Sequence, residues 1–242
     1  MKIDPNSFEF NLFLTLIIII LIFKLTLVIY LSREVNRLKK ETGEISFDFL
    51  FSILILMLCL FISRILYSIF DFTLTRFDTS RAHLEPAITV WKFAALTANI
   101  GYIIVLFTID KKVLDFKLKG ILAYLLAVAT IIQFVYPVSS PEDFEVVSTI
   151  GAFGNILAVT IPIIFFYIGI KTPGLRKTSF FIAFGVIIYA IGSNLTIEAI
   201  LGPVRAMYGL TGQITMYFLL FTFKIIGLVM FTYGVVTFKV AK

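Results

Sequence analysis

The stretch SRILYSIFD carries Arg64, Tyr67 and Asp71 at i, i+3 and i+7, so in a helix all three share one face. A permanently charged guanidinium, a phenol and a carboxylate on one face suit the capture of a small anion or carboxylate. The same trio also suits a structural ion pair that locks its helix to a neighbour. A second group stands in YFLLFTFKIIGLVMF, where Lys224 lies among fourteen residues suited to lipid. It is about twelve residues from either end of its apolar segment, too far to reach a surface comfortably. An ammonium there has to face protein or trapped water, and burial lowers its pKa.

Other polar groups lie in similarly apolar surroundings. Lys92 follows Trp91, a pairing that suits an interfacial anchor or, turned inward, adds positive charge to the Arg64 face. Asn99, Asn155 and Asn194 offer amide oxygens, and Glu198 is the one acid well inside the later apolar segments. Each buried charge costs roughly 2.5–3.5 kcal/mol on insertion scales, which makes it a functional candidate by default. The expected site is a polar cavity floored by Lys224, with Asn99, Asn155 and Asn194 around it and Arg64, Tyr67, Asp71, Lys92 and Glu198 toward the outer side. A lysine bonded only to helix carbonyls is the structural alternative. Lys24 lies near the inner end of its segment and is expected to snorkel to the headgroups.

The elements that must position these groups are helices. The chain is 60% hydrophobic over 242 residues, too apolar to cover a water-facing surface. Seven segments of about the 20 residues that a span needs occur at about 10–31, 47–71, 86–109, 120–137, 146–170, 178–201 and 212–238. The expected fold is all-α, a polytopic seven-transmembrane-helix bundle, up and down, forming a single domain over 1–242. The fourth span is the shortest. The gaps 32–46 and 72–85 have room for little more than a turn of helix each. Pro162 should kink span five, and GAFGN at 151–155 should admit a close neighbour. Gly185 and Gly192 lie on one face of span six, as Gly227 and Gly234 do on span seven, and suit helix packing.

Loop charges set the expected orientation. Loops 32–46, 110–119 and 171–177 and the C-terminal tail hold thirteen lysines and arginines, against four (Lys2, Arg76, Arg81 and Arg205) on the other side. The richer side belongs in the cytoplasm, so the N-terminus is expected outside and the C-terminus inside. MKIDPNSFEFNLFLTLIIIILIF has acids before its apolar run and no small-residue cleavage site, so it reads as a retained first span. The net charge of +6 then serves orientation and anionic lipid rather than nucleic acid.

One cysteine and one histidine leave no disulfide and no multi-ligand metal site to expect. No Ser/His/Asp set, acid pair or phosphate-cradling loop is recognisable, so neither catalysis nor a cofactor is expected. Seven spans, an outer N-terminus and a lysine in the last span resemble the retinal-binding rhodopsins. However, the third span, PAITVWKFAALTANIGYIIVLFTI, lacks the acid that would be the counterion. The stretch FFYIGIKTPGLRKTSFFIAFGVIIYAIGS resembles the seven-helix sensor modules attached to bacterial and archaeal histidine kinases. That resemblance implies a receptor that binds a ligand in its outer half and passes a helix rearrangement to a cytoplasmic partner through the basic loops. With no output domain after Lys242, the output is expected on another chain. A small-anion transporter or channel subunit and a ligand-free assembly subunit are the alternatives, and a homo-oligomer is compatible with each.

Overall fold

The computed structural model describes residues 7–42, 48–195 and 198–238. Side chains at 42, 79, 152–156 and 198–199 lie outside that description. Among the described residues there are helices and no strand. Apolar segments of this length satisfy every backbone N–H internally only as helices. Five helical segments are long and apolar enough to cross a membrane: Phe8–Glu41, Phe49–Thr75, Ala87–Val113, Pro173–Asn194 and Ile200–Thr237. Ile121–Val135 and Thr160–Lys171 are shorter apolar helices.

The chain divides into two units, Met1–Ile17 with Leu21–Ala158, and Ile18–Ile20 with Val159–Lys242. The first contains all but Ile18–Ile20 of α1 (Phe8–Thr42), together with α2 (Phe49–Ser68), α3 (Ala87–Val113), α4 (Ile121–Val135) and α5 (Pro141–Ala158). α1 is 35 residues long, about 52 Å at 1.5 Å per residue, well beyond the ~30 Å hydrocarbon core. The expectation of little helix in 32–46 is therefore corrected: α1 continues for about three further turns. SREVNRLKKE contains neither Gly nor Pro, and Arg37 reaches Glu34 at 2.7 Å and Glu41 at 3.8 Å along the helix surface. Buried Phe13, Ile17, Ile20, Lys24, Leu27 and Leu31 repeat at alternating steps of four and three along α1.

Asp48 caps α2 by accepting the Phe51 N–H at 2.9 Å. α2 does not stop at Ser68 but runs on as a π-helix over Ile69–Thr75. Arg76 (φ 53°) and Phe77 (φ 59°) then turn the chain, with the Phe77 N–H returning to the Asp71 carbonyl at 3.1 Å. That turn aims Phe77 at Phe72 and Phe13, with ring centroids 4.9 and 6.2 Å away. Neighbouring helices run antiparallel. A Cβ on Gly101 of α3 would touch Leu56 and Cys59 of α2, while Trp91 and Val90 pack with Phe70 at the other end. Phe93 meets Phe134, and Phe107 meets Tyr124, down the α3–α4 contact.

The second unit contains α6 (Thr160–Lys171), α7 (Arg176–Asn194) and α8 (Glu198–Thr237). Expected span five is two helices: α5 ends at Ala158, the residue four before Pro162, where the ring blocks a continuing helix. α8 is broken at Gly209 (φ 59°, ψ −142°), a conformation open to glycine alone. Expected span six ended at 201, whereas α7 ends at Asn194 and Glu198 already begins α8. The expected glycine packing is found. A Cβ on Gly185 would lie 2.8 Å from the Gly227 carbonyl, and one on Gly234 would lie 2.8 Å from the Ile182 N. Rising numbers on α7 meet falling numbers on α8, so the two are antiparallel with backbones in direct contact.

Candidate functional site

Arg64 lies in α2 five residues before the π-helix begins at Ile69, and the Ser68 hydroxyl donates to its carbonyl at 2.7 Å. It is half-buried, and its Nε is buried with no hydrogen-bond partner. Among the described residues no acid forms an ion pair with it. The Tyr67 phenol lies within electrostatic reach of both Arg64 and Asp71. Asp71 sits inside the π-helix, whose i→i+5 turns are wider than those of an α-helix. The side chains at this site therefore project from the junction of two helix types. A guanidinium Nε out of water with no acceptor is costly.

Lys92 and Asn99 are committed elsewhere in the first unit. The Lys92 ammonium donates to the Tyr136 carbonyl at 2.6 Å, where α4 ends. Lys92 thus caps the negative end of a helix dipole, a role neither the anchor nor the cavity expectation included. Trp91 beside it packs on Phe144 at 5.2 Å, inside an apolar cluster with Phe70, Ala82 and Ala87. Asn99 Nδ2 donates to Gln133 Oε1 at 3.4 Å. Gln133 is 4% exposed, and a Cβ on Gly151 would collide with its Nε2, so Gly151 makes room for a buried amide. The expected close approach near GAFGN is made by that side chain. Gln133 was not among the expected residues, although it is the sole amide in the fourth apolar segment.

Lys24 does not snorkel. It is 4% exposed, and its ammonium donates to the Leu60 carbonyl of α2 at 3.0 Å. Its place in the buried stripe of α1 turns it onto a neighbouring backbone rather than toward headgroups.

In the second unit, half-buried Lys224 holds its Nζ 5.8 Å from the centroid of the Tyr189 ring. A Cβ on Gly192 would lie 3.2 Å from the Lys224 N, so the glycine seam is what brings α7 this close. Asn194 Nδ2 donates to the Ala190 carbonyl at 2.9 Å and Ser193 to the Tyr189 carbonyl at 3.0 Å, both within α7. The side chains of Asn155, in α5, and Glu198, the first residue of α8, lie outside the described residues. The expected chamber drew on residues of both units. In the first unit Arg64 and Asp71 lie within electrostatic reach of Tyr67, and in the second Lys224 lies against Tyr189.

A further residue escaped sequence reasoning. Asp110, 3% exposed near the end of α3, accepts the Leu118 N–H at 2.9 Å and the Gly120 N–H at 2.6 Å. Its backbone carbonyl accepts the Phe116 N–H at 2.7 Å. The turns after Asp71 and Asp110 follow one plan: six residues on, a phenylalanine at φ 59° returns its N–H to the aspartate carbonyl. The shared spacing in DFTLTRF and DKKVLDF is the signal that was available. Comparisons with protein-family models, with curated proteins and with solved structures found no match to this chain.

Proposed function

We propose that the protein is a receptor- or sensor-like membrane protein that binds a small anionic ligand, a carboxylate or an inorganic anion, at Arg64, Tyr67 and Asp71. In this reading the five long helices, α4 and the α5–α6 pair make seven spans, with the N-terminus outside and the C-terminus in the cytoplasm. The Arg64 Nε, buried and without an acceptor, is the observation that carries the proposal. Tyr67, in reach of both neighbouring charges, supplies a hydroxyl for the same ligand.

The π-helix supports signalling rather than simple storage. A π segment has one residue more per closed ring than the α-helix, so it converts to α-helix by a register shift. A ligand that draws on Arg64 and Asp71 together spans the junction and biases that shift. Everything after Thr75, starting with the Arg76–Phe77 turn, is then re-aimed.

The purified protein in detergent tests this with sodium acetate, phosphate and chloride as probes. At least one anion is expected to raise the unfolding temperature of the wild type, and Arg64→Met is expected to abolish that shift. Without anion, Arg64→Met should be as stable as wild type or more so, because an unpaired buried charge has been replaced by an apolar side chain of similar length. If Arg64→Met unfolds well below wild type without anion, Arg64 is structural and the proposal fails. Anion flux into proteoliposomes that depends on Arg64 would assign transport instead.

A further inference from the structure

The α3–α4 turn combines three features that the anion site does not use. First, its conformation is held from inside. Asp110 binds the Leu118 and Gly120 N–H groups with one carboxylate oxygen each, and the Phe116 N–H with its carbonyl. That grip holds Asp115 (φ 53°), Phe116 (φ 59°) and Lys119 (φ 50°) in the left-handed region, which is costly for non-glycine residues. Second, the turn displays charge outward. Lys111, Lys112, Lys117 and Lys119 are all exposed, against one exposed acid, Asp115, because Asp110 is buried. Third, apolar side chains alternate with the last two lysines. Phe116 is 42% exposed and Leu118 37%, with Ile121 and Tyr124 exposed just beyond. Phe116 rests on Phe107, ring centroids 6.0 Å apart, and Phe107 on Tyr124.

A soluble acidic partner would leave those apolar groups in water. A lipid surface accepts both kinds at once: ammonium groups at the phosphates, and phenyl and isobutyl groups at the acyl boundary. We propose that the turn from Lys111 to Gly120 is a preformed site for the headgroup of an anionic phospholipid. Lys117 and Lys119 take its phosphate, Phe116 and Leu118 enter the acyl boundary, and buried Asp110 holds the turn in its binding conformation. The site is separate from Arg64 and stands whether or not that site binds anions.

The test is native mass spectrometry of the full chain released from detergent containing equal phosphatidylglycerol and phosphatidylcholine. Wild type should retain phosphatidylglycerol preferentially. Lys117→Gln/Lys119→Gln should lower that retention about tenfold or more, since each lysine near an anionic surface is worth ~1 kcal/mol. Lys111→Gln/Lys112→Gln removes equal charge from the regular end of α3 and should cost several-fold less. Asp110→Asn keeps every lysine yet should lower retention as the turn relaxes. Equal losses from both lysine pairs mean diffuse attraction and overturn the proposal, even if Asp110→Asn fails to fold. Full displacement of the lipid by millimolar inorganic phosphate would make this a soluble-anion site and overturn it too.

Discussion

At the scale of single residues, the lysines show how partners decide what a buried charge does. Lys24, Lys92 and Lys224 all lie within apolar segments, yet they end on a helix carbonyl, a helix terminus and an aromatic ring respectively. Lys92→Met should lower stability by about 1.5–3 kcal/mol, the usual worth of a hydrogen bond to a charged group, seen in detergent unfolding. Lys92→Arg should recover part of it; full stability in Lys92→Met would mean that the Tyr136 bond contributes nothing. On the polar rim, Asp143 accepts the Ser139 and Ser140 N–H groups at 2.9 and 3.0 Å, which holds its carboxyl below the ordinary 3.8. A carboxylate with a depressed folded pKa stabilises fully above its unfolded value and loses that stabilisation as pH falls through the folded one. Wild type should therefore be more stable than Asp143→Asn near pH 7, and acid unfolding should show that advantage shrinking as pH falls below about 4, so that the variant declines less steeply. Parallel curves throughout would show that those two bonds do not favour the folded state.

At the scale of elements, glycine does two different jobs in α8. Gly227 lies where a Cβ would sit 2.6 Å from the Tyr189 N and 2.7 Å from the Gly185 carbonyl, both backbone atoms that cannot step aside. Gly227→Ala should part α7 from α8 and cost about 1–3 kcal/mol through overpacking. Gly209 has nothing within 4 Å of its would-be Cβ, and its cost in Gly209→Ala, again about 1–3 kcal/mol, comes from the backbone alone. The two are told apart at Tyr189. An aromatic signal from that ring should change in Gly227→Ala and stay unchanged in Gly209→Ala; the reverse would misassign both glycines. The seam was legible in the sequence because small residues seven apart share a face in any helix. The π-helix was not, because IFDFTLT reads equally well as two more α-helical turns.

At the scale of the whole molecule, the loop-charge asymmetry predicts which ends face the cytoplasm. In a Cys59→Ser background, Asp78→Cys and Ser139→Cys should react with a membrane-impermeant maleimide on intact cells. Lys39→Cys and Leu118→Cys should react only after permeabilisation. The opposite pattern would invert the topology, and with it the assignment of Arg64 to the outer half.

By itself the sequence determined that the chain forms long apolar helices and which residues share a face; it located both ends of the second, third and fourth spans within a few residues, but not those of the first, fifth, sixth and seventh. Hydrocarbon-compatible segments leave their amides no partner except their own carbonyls, and the helical period does the rest. It also suggested Arg64, Tyr67 and Asp71 as a group from their shared α-helical face, whereas the π-helix that holds Asp71 was set by the structure. Tertiary structure alone decided what stands opposite each face. Lys24 meets the Leu60 carbonyl, Asn99 meets Gln133, Asp110 holds the next turn and Lys224 meets Tyr189. A periodic pattern names the residues on a stripe but carries no register for its neighbour. A shift of one helical turn, about 5.4 Å, exchanges every such partner while leaving the pattern unchanged.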